Sequence, residues 1–148
     1  MSVNPDLVGR VFAPTAPYLV GREKVREFAR AVLATDPQHT DPDAARALGY
    51  ADVVAPPTFA MVVQDLTLQQ LLAEPDTGIA LERTIHAEQR FRYTRPIVAG
   101  DELTGRLSIT AVRPIGTGAM VTSEAEITDA AGSHVVTATS VLLIGGDE

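Results

Sequence analysis

Cysteine is absent from this chain of 148 residues, so the disulfides that are common in oxidising compartments cannot form. The sequence also lacks any apolar run near the roughly 20 residues that a membrane-spanning helix requires. Its first ten residues, MSVNPDLVGR, have no basic start followed by an apolar stretch, the pattern of a secretory signal. These absences predict a cytoplasmic protein that does not enter a membrane.

Basic residues are in the minority, with 12 Lys and Arg against 19 Asp and Glu, which gives a net charge of -7. Binding to nucleic acid depends on basic side chains that displace counterions from phosphates, so nucleic acid is not the expected partner. Four arginines nevertheless cluster in one segment: Arg83, Arg90, Arg92 and Arg95. They are consistent with a solvated strand face or with contacts to the phosphates of a small ligand or to an acidic carrier protein.

The three histidines, His39, His86 and His134, are far apart in the sequence and show no metal-ligand spacing. We therefore predict no metal and no cofactor. A structural or interface role is expected for His86, and His134 has the features of a solvent-facing residue. The 45% hydrophobic and 21% charged composition is typical of a globular protein, and the length predicts a single domain over residues 1–148.

Apolar periodicity predicts three helices. The first covers residues 21–33, with one apolar stripe formed by Val25, Phe28, Ala29, Val32 and Leu33. A short helix begins at Pro42, is capped by Asp41 and ends near Gly49. A long helix starts at Pro56-Pro57 and continues to residue 74. It is apolar on nearly every side, which indicates a buried helix.

The second half of the chain alternates in the manner of β-strands. Strands are predicted near residues 15–20 and over 84–95, 102–113, 119–128 and 134–144. The last four follow one another without helices between them, so an antiparallel meander is expected. Together with the long helix this gives an α+β fold of about five strands around a central helix.

Three segments, HTDPDAARALGY, APPTF and YTRPIVAGDEL, resemble the MaoC-like dehydratase family of the hot-dog fold. The similarity is closest to its FAS1-like branch, which includes mycobacterial (3R)-hydroxyacyl-ACP dehydratase subunits, and it spans essentially the whole chain. The resemblance implies a curved sheet wrapped around one long helix and a homodimer or heterodimer paired across sheet edges. It also implies a thioester of coenzyme A or acyl carrier protein as the ligand.

The family signature is Asp-x-Asn-Pro-x-His, followed shortly by Asp-Pro. Aligning His39 with the family histidine places Ala34 where the catalytic aspartate belongs and Asp36 where the asparagine belongs. The resemblance thus implies that His39 acts as a general base, since an unperturbed imidazole pKa of ~6.5 suits proton transfer near neutral pH. Asp36 is either a substitute for the missing acid or a cap of the local turn, and capping is the more common role of such a residue.

In related hydratases a glycine amide at the start of the central helix binds the thioester oxygen. That position falls on Pro57, which has no N–H, so the amide of Thr58 or Phe59 is expected to replace it. We expect Pro57, Thr58, Phe59, Met61 and Val62 to form the substrate-binding surface.

These features lead to three functional hypotheses. The first is an (R)-3-hydroxyacyl-thioester dehydratase, or enoyl hydratase in the reverse direction, with His39 and Asp36 as catalytic residues. The second, based on Ala34, is a non-catalytic acyl-binding subunit that pairs with a catalytic hot-dog partner. The third is a thioesterase, although Asp65 is the only candidate catalytic carboxylate on the long helix.

Overall fold

The computed structural model describes residues 2–146, which form a five-stranded antiparallel sheet, three α-helices and short 3-10 turns. The strands are β1 (Tyr18–Leu19), β2 (Thr84–Tyr93), β3 (Glu102–Ile115), β4 (Gly118–Thr128) and β5 (His134–Ile144). The helices are α1 (Arg22–Ala31), α2 (Pro42–Ala47) and α3 (Ala60–Ala73). This mixed α and β architecture confirms the predicted fold class and number of strands.

The strand order is β1-β3-β4-β5-β2, which corrects the predicted meander. The β3–β4 and β4–β5 pairs are sequential, but β2 pairs with β5 and not with β3. Residues 94–101 connect β2, on one side of the sheet, with β3 on the other side. In this connection Ile97 is buried and Arg95 forms an ion pair with Asp101. The two strands nearest in sequence to this crossing therefore lie far apart in the sheet.

Helix α1 is shorter than predicted. Val25 and Ala29 are fully buried, but Val32 and Leu33 lie beyond the helix and are 45% and 83% exposed. The predicted extension of the helix to residue 33 is wrong, because the chain leaves the helix before Leu33, which has a positive φ of 57°. The Ala34 N–H then donates to the Ala29 carbonyl at 2.8 Å, a bond that closes the helix end.

The predicted long helix is confirmed, and a 3-10 turn (Pro57–Phe59) leads directly into α3. The sheet approaches it so closely that a Cβ atom at Gly105 of β3 would lie 2.8 Å from the Thr67 methyl group. Two polar side chains of α3, Gln64 and Thr67, are fully buried among the apolar core residues. One face of α3 is therefore buried, whereas Asp65, Gln69 and Ala73 are exposed, so the expected buried helix is confirmed only for the face that packs on the sheet.

The two edges of the sheet differ. The segment before β1 covers the outer edge of β3, where Gly9 donates to the Ile109 carbonyl and Phe12 to the Leu107 carbonyl, both at 2.8 Å. The outer edge of β2 has no backbone partner within residues 2–146. Only one long edge thus remains open for pairing.

Over the same residues, none of the helices has the length and apolar character needed to cross a bilayer.

Candidate functional site

His39 lines a cavity of about 310 Å³ at the start of α3. The other lining residues come from two segments, residues 54–57 before the helix and residues 93–96 at the end of β2. The walls are mostly apolar, with Pro57 on one side and Tyr93 and Pro96 on the other. The helix start, the end of an edge strand and the histidine loop therefore meet at one place.

The His39 ring is held in one orientation by the backbone. The residue ends a 3-10 turn (Pro37–His39) and is 8% exposed, and its Nδ1 lies 2.6 Å from the Val54 carbonyl oxygen. A carbonyl oxygen only accepts hydrogen bonds, so Nδ1 carries the proton and donates it. In the neutral ring, Nε2 then keeps its lone pair and has the properties of a general base.

Asp36 is exposed and is not among the residues that line the His39 cavity. It occupies the N-cap position of the 3-10 turn, but its side chain makes no capping hydrogen bond, so the predicted capping role is wrong. Pro37 follows it and has no N–H to offer, which removes one donor from that turn. By contrast, the predicted Asp41 cap is confirmed, since its carboxylate accepts from the Asp43 N–H at 2.9 Å.

Ala34, at the family aspartate position, lines a different cavity of about 340 Å³ beside the end of α1. Leu33 and Thr40 line the same cavity. Within the described chain, no carboxylate is among the residues that line the His39 cavity.

The turn that precedes α3 presents one free amide. Phe59 donates its N–H to the Pro56 carbonyl at 2.9 Å, whereas the N–H of Thr58 has no backbone acceptor within residues 2–146. The Phe59 side chain is fully buried, with its ring 5.2 Å from that of Phe28 in an edge-to-face contact. Of the two amides considered for the thioester oxygen, the Thr58 amide is therefore the available one.

The five predicted substrate-binding residues do not form one surface. Pro57 lines the His39 cavity, and Met61 lines a second cavity of about 200 Å³ further along α3. Thr58 is exposed, Phe59 is buried, and Val62 is half-buried against the core, and none of the three lines either cavity.

Sequence reasoning missed Tyr93 as a residue of this site. Its hydroxyl donates to the Pro57 carbonyl and thereby joins the end of β2 to the start of α3. Burial raises the pKa of Tyr93 to about 12, so the phenol stays neutral at physiological pH. The alternation of β2 could have indicated its inward direction, but not its partner 36 residues earlier in the chain.

The arginine cluster is divided between structural roles and solvent. Arg95 lines the His39 cavity but is engaged by Asp101 at 2.8 Å and by Asp129 at 3.2 Å, and hydrogen bonds to these carboxylates raise the pKa of its guanidinium. Arg83 donates to the Gly145 carbonyl, and Arg90 is exposed beside Glu88. Of these arginines, Arg95 thus places a positive charge, held by two carboxylates, at the wall of the His39 cavity.

The other two histidines lie outside this cavity. His86, on the inward side of β2, directs Nε2 to the Glu88 carbonyl and to Gln89 Oε1, at 3.1 and 3.0 Å. His134 is half-buried between the hydroxyls of Thr94 and Thr137, at 2.6 and 2.7 Å, so the expectation of a solvent-facing residue is wrong.

A family model described as "FAS1-like, dehydratase domain region" matches residues 6–138. The chain belongs to this family. Among the relatives of this FAS1-like dehydratase domain is a UPF0336 protein of Clavibacter michiganensis subsp. michiganensis, 63% identical over 148 residues, which cover 100% of this chain and 99% of that protein. A UPF0336 protein of Streptomyces avermitilis is 46% identical over 143 residues, 97% of this chain and 95% of the relative.

Solved structures support the same assignment. The FAS1-like dehydratase domain superposes on a chain of the HadBC (3R-hydroxyacyl-ACP dehydratase) complex of Mycobacterium tuberculosis with a TM-score of 0.86 and 32% identity, covering 93% of this chain and 97% of that chain. A MaoC-like dehydratase gives a TM-score of 0.77 at 38% identity, with 94% of this chain matched to 42% of a longer chain. The (R)-hydratase of A. caviae, at 22% identity, TM-score 0.69 and coverage of 93% and 96%, shares the fold. The predicted hot-dog fold and MaoC-like resemblance are confirmed.

Proposed function

We propose that this chain is one hot-dog subunit of an (R)-3-hydroxyacyl-thioester dehydratase, acting on a coenzyme A or acyl carrier protein thioester. The observation that carries the proposal is an imidazole, His39, fixed in an apolar cavity that has no carboxylate among its described lining residues. Such a cavity offers a base and an apolar binding surface but lacks the second acid-base group of the reaction.

In the dehydration direction, Nε2 of a base such as His39 takes a proton from the carbon next to the thioester carbonyl. The electron pair of that C–H bond becomes the new C=C bond while the C–O bond to the 3-hydroxyl breaks. The free Thr58 amide, in the turn that leads into α3, is suited to stabilise the negative charge that develops on the thioester oxygen. The departing hydroxide takes a proton from an acid and leaves as water, and solvent restores both groups.

A carboxylic acid is the group missing from the described lining of the cavity, since Ala34 and exposed Asp36 both lie outside it. We therefore infer that efficient turnover requires a second hot-dog subunit that carries the complete Asp-x-Asn-Pro-x-His motif. The HadBC relative is a complex, and the MaoC-like relative is more than twice as long as the matched region. Both are consistent with a paired arrangement.

A second candidate is a dehydratase that works without such a partner. The hydrogen bond from His39 Nδ1 to the Val54 carbonyl favours it, because this bond presents Nε2 as a base regardless of any acid.

Hydration of crotonyl-CoA, followed by loss of the conjugated thioester absorbance, separates the two candidates. We expect the purified chain to turn over slowly or not at all. Adding a hot-dog subunit with the full motif should raise the rate by about 10²–10⁴-fold, the usual contribution of a positioned acid-base group. Full activity of the chain alone, lost in His39→Ala, would instead establish the partner-free enzyme.

The Gln69→Ala variant is the control, because Gln69 is exposed, lies outside the His39 cavity and bonds only Asp65, so its loss should leave the rate unchanged. Release of free coenzyme A without hydration would replace both candidates with a thioesterase. If no reaction occurs with the chain alone or with the partner, the dehydratase proposal is wrong.

A further inference from the structure

Helix α3 and strand β2 lie side by side in opposite directions, with a groove between them. At one end the Tyr93 hydroxyl reaches the Pro57 carbonyl beside the His39 cavity. Toward the other end, Asp65 of the helix and His86 of the strand both line the second cavity. The two cavities therefore lie toward opposite ends of the region where α3 and β2 meet.

A hydrogen bond crosses this groove between the two cavities. Nε2 of Gln89 donates to Oε1 of Gln64 at 2.7 Å, joining the strand to the helix. Gln89 is held on both sides, since its Nε2 also lies 3.3 Å from the Arg90 carbonyl and its Oε1 accepts from Nε2 of His86 at 3.0 Å. We call the Gln64–Gln89 contact the glutamine bridge.

The glutamine bridge is not explained by stability. Gln64 is completely buried, and its Nε2 has no hydrogen-bond partner within the described residues. An unsatisfied buried donor destabilises a fold, and an aliphatic residue at this position would avoid that loss. Its position across the groove gives the amide pair a functional explanation.

We propose that the glutamine bridge is a specificity element that confines the acyl chain to the His39 cavity and selects short chains. This inference rests on the proposed dehydratase function and names the substrate class of the same site. A longer chain would have to separate the two amides and leave the buried Gln64 side chain without its partner beside the methylene groups.

Beyond the bridge, the groove is suited to hold a longer chain. The second cavity, of about 200 Å³, is lined by Met61 and five leucines, three of them on α3, and also by Asp65, Thr84 and His86. Removing the bridge should join this apolar space to the His39 cavity, and the binding free energy should then increase with chain length.

Titration calorimetry of the full chain with butanoyl-, octanoyl- and dodecanoyl-CoA tests this inference without requiring turnover. For the wild type we expect butanoyl-CoA to bind at least as tightly as the longer thioesters. In Gln64→Ala and in Gln89→Ala, affinity for dodecanoyl-CoA relative to butanoyl-CoA should rise by about tenfold or more. Gln89 is only half-buried, so its variant remains informative should Gln64→Ala fail to fold.

Gln69→Ala is the control, because this exposed glutamine lies on the same helix and bonds only Asp65. Its chain-length profile should match that of the wild type. An unchanged profile in both bridge variants, with butanoyl-CoA still bound, would overturn the specificity inference alone. If none of the proteins binds butanoyl-CoA, the proposed function fails together with the inference.

Discussion

The chemistry available to His39 is decided by an atom 15 residues away in the chain. The Val54 carbonyl accepts the Nδ1 proton, and the Val54 N–H donates in turn to the Gln38 carbonyl at 2.9 Å. This reciprocal pair of bonds fixes the loop and the ring together. The motif predicts the histidine, but the proton position depends on a contact that residue types alone do not specify.

The buried phenol of Tyr93 should show a measurable titration step at high pH. Its folded-state pKa of about 12 lies above the ordinary value of 10.0, because burial disfavours the phenolate. The stabilisation that the neutral phenol provides is complete below pH 10 and is lost as the pH rises toward 12. In a phenolate absorbance titration, Tyr93→Phe should remove the step near pH 12. Persistence of that step would show that another tyrosine produces it.

Replacing Leu33 with glycine should stabilise the protein. Its left-handed backbone costs an L-residue about 1–2 kcal/mol, whereas the extra chain entropy of glycine costs about 0.5–1 kcal/mol. Leu33→Gly should therefore raise the free energy of unfolding by about 0.5–1 kcal/mol, measured by urea denaturation. Leu33→Ala removes the same exposed side chain but keeps the strain, so it should show no such gain.

At the scale of elements, the contact between β3 and α3 depends on the absence of a side chain at Gly105. A Cβ atom there would meet the Thr67 methyl at 2.8 Å and a Val63 methyl at 3.4 Å. Gly105→Ala should lower the free energy of unfolding by about 1–3 kcal/mol through overpacking, as measured by denaturant unfolding.

The Thr67→Ser substitution provides the matched test of this contact. It deletes the clashing methyl group but keeps the hydroxyl that donates to the Gln64 carbonyl at 2.6 Å. The double variant should recover most of the stability lost in Gly105→Ala. Additive losses in the double variant would mean that the clash lies elsewhere.

Most elements could be predicted from sequence because each has a local signal. The 3.6-residue period of α1 and the alternation of β3 and β4 reflect which side faces the core, whereas β5, buried on both faces, is marked by its β-branched residues. The pairing of β2 with β5 has no such signal, since it depends on the crossing of residues 94–101. Likewise, the end of α1 depends on a backbone turn at Leu33. The spacing of the apolar residues gives no sign of this turn, because Val32 and Leu33 continue the helical pattern.

For the whole molecule, the unequal sheet edges predict how it associates. The open edge of β2 carries Ile85, which is 65% exposed. We propose that two subunits pair along this edge. Ile85→Lys places a charge on it and should weaken that association in sedimentation velocity experiments, because edge lysines oppose strand pairing.

Ile115→Lys is the control for that measurement. Ile115 is 50% exposed at the end of β3, beside the β3–β4 turn and away from the open edge, so its substitution should leave the sedimentation profile unchanged. Equal dissociation in both variants would indicate a general effect of added charge.

The site could be predicted only in part for a related reason. His39 and Pro57 belong to recognisable local motifs, and both line the cavity. Tyr93 and the glutamine bridge arise because α3 and β2 align in opposite directions, a relation between segments some 25 to 36 residues apart. Only the folded arrangement brings these side chains together.

The strip formed by residues 9–15 along β3 also has a consequence for assembly. With one open sheet edge, two molecules can pair their open edges with each other, and association stops at a closed dimer. Without residues 9–15, each molecule would have two open sheet edges, and molecules could add head to tail to form filaments. By covering the β3 edge, residues 9–15 are therefore expected to prevent such head-to-tail growth.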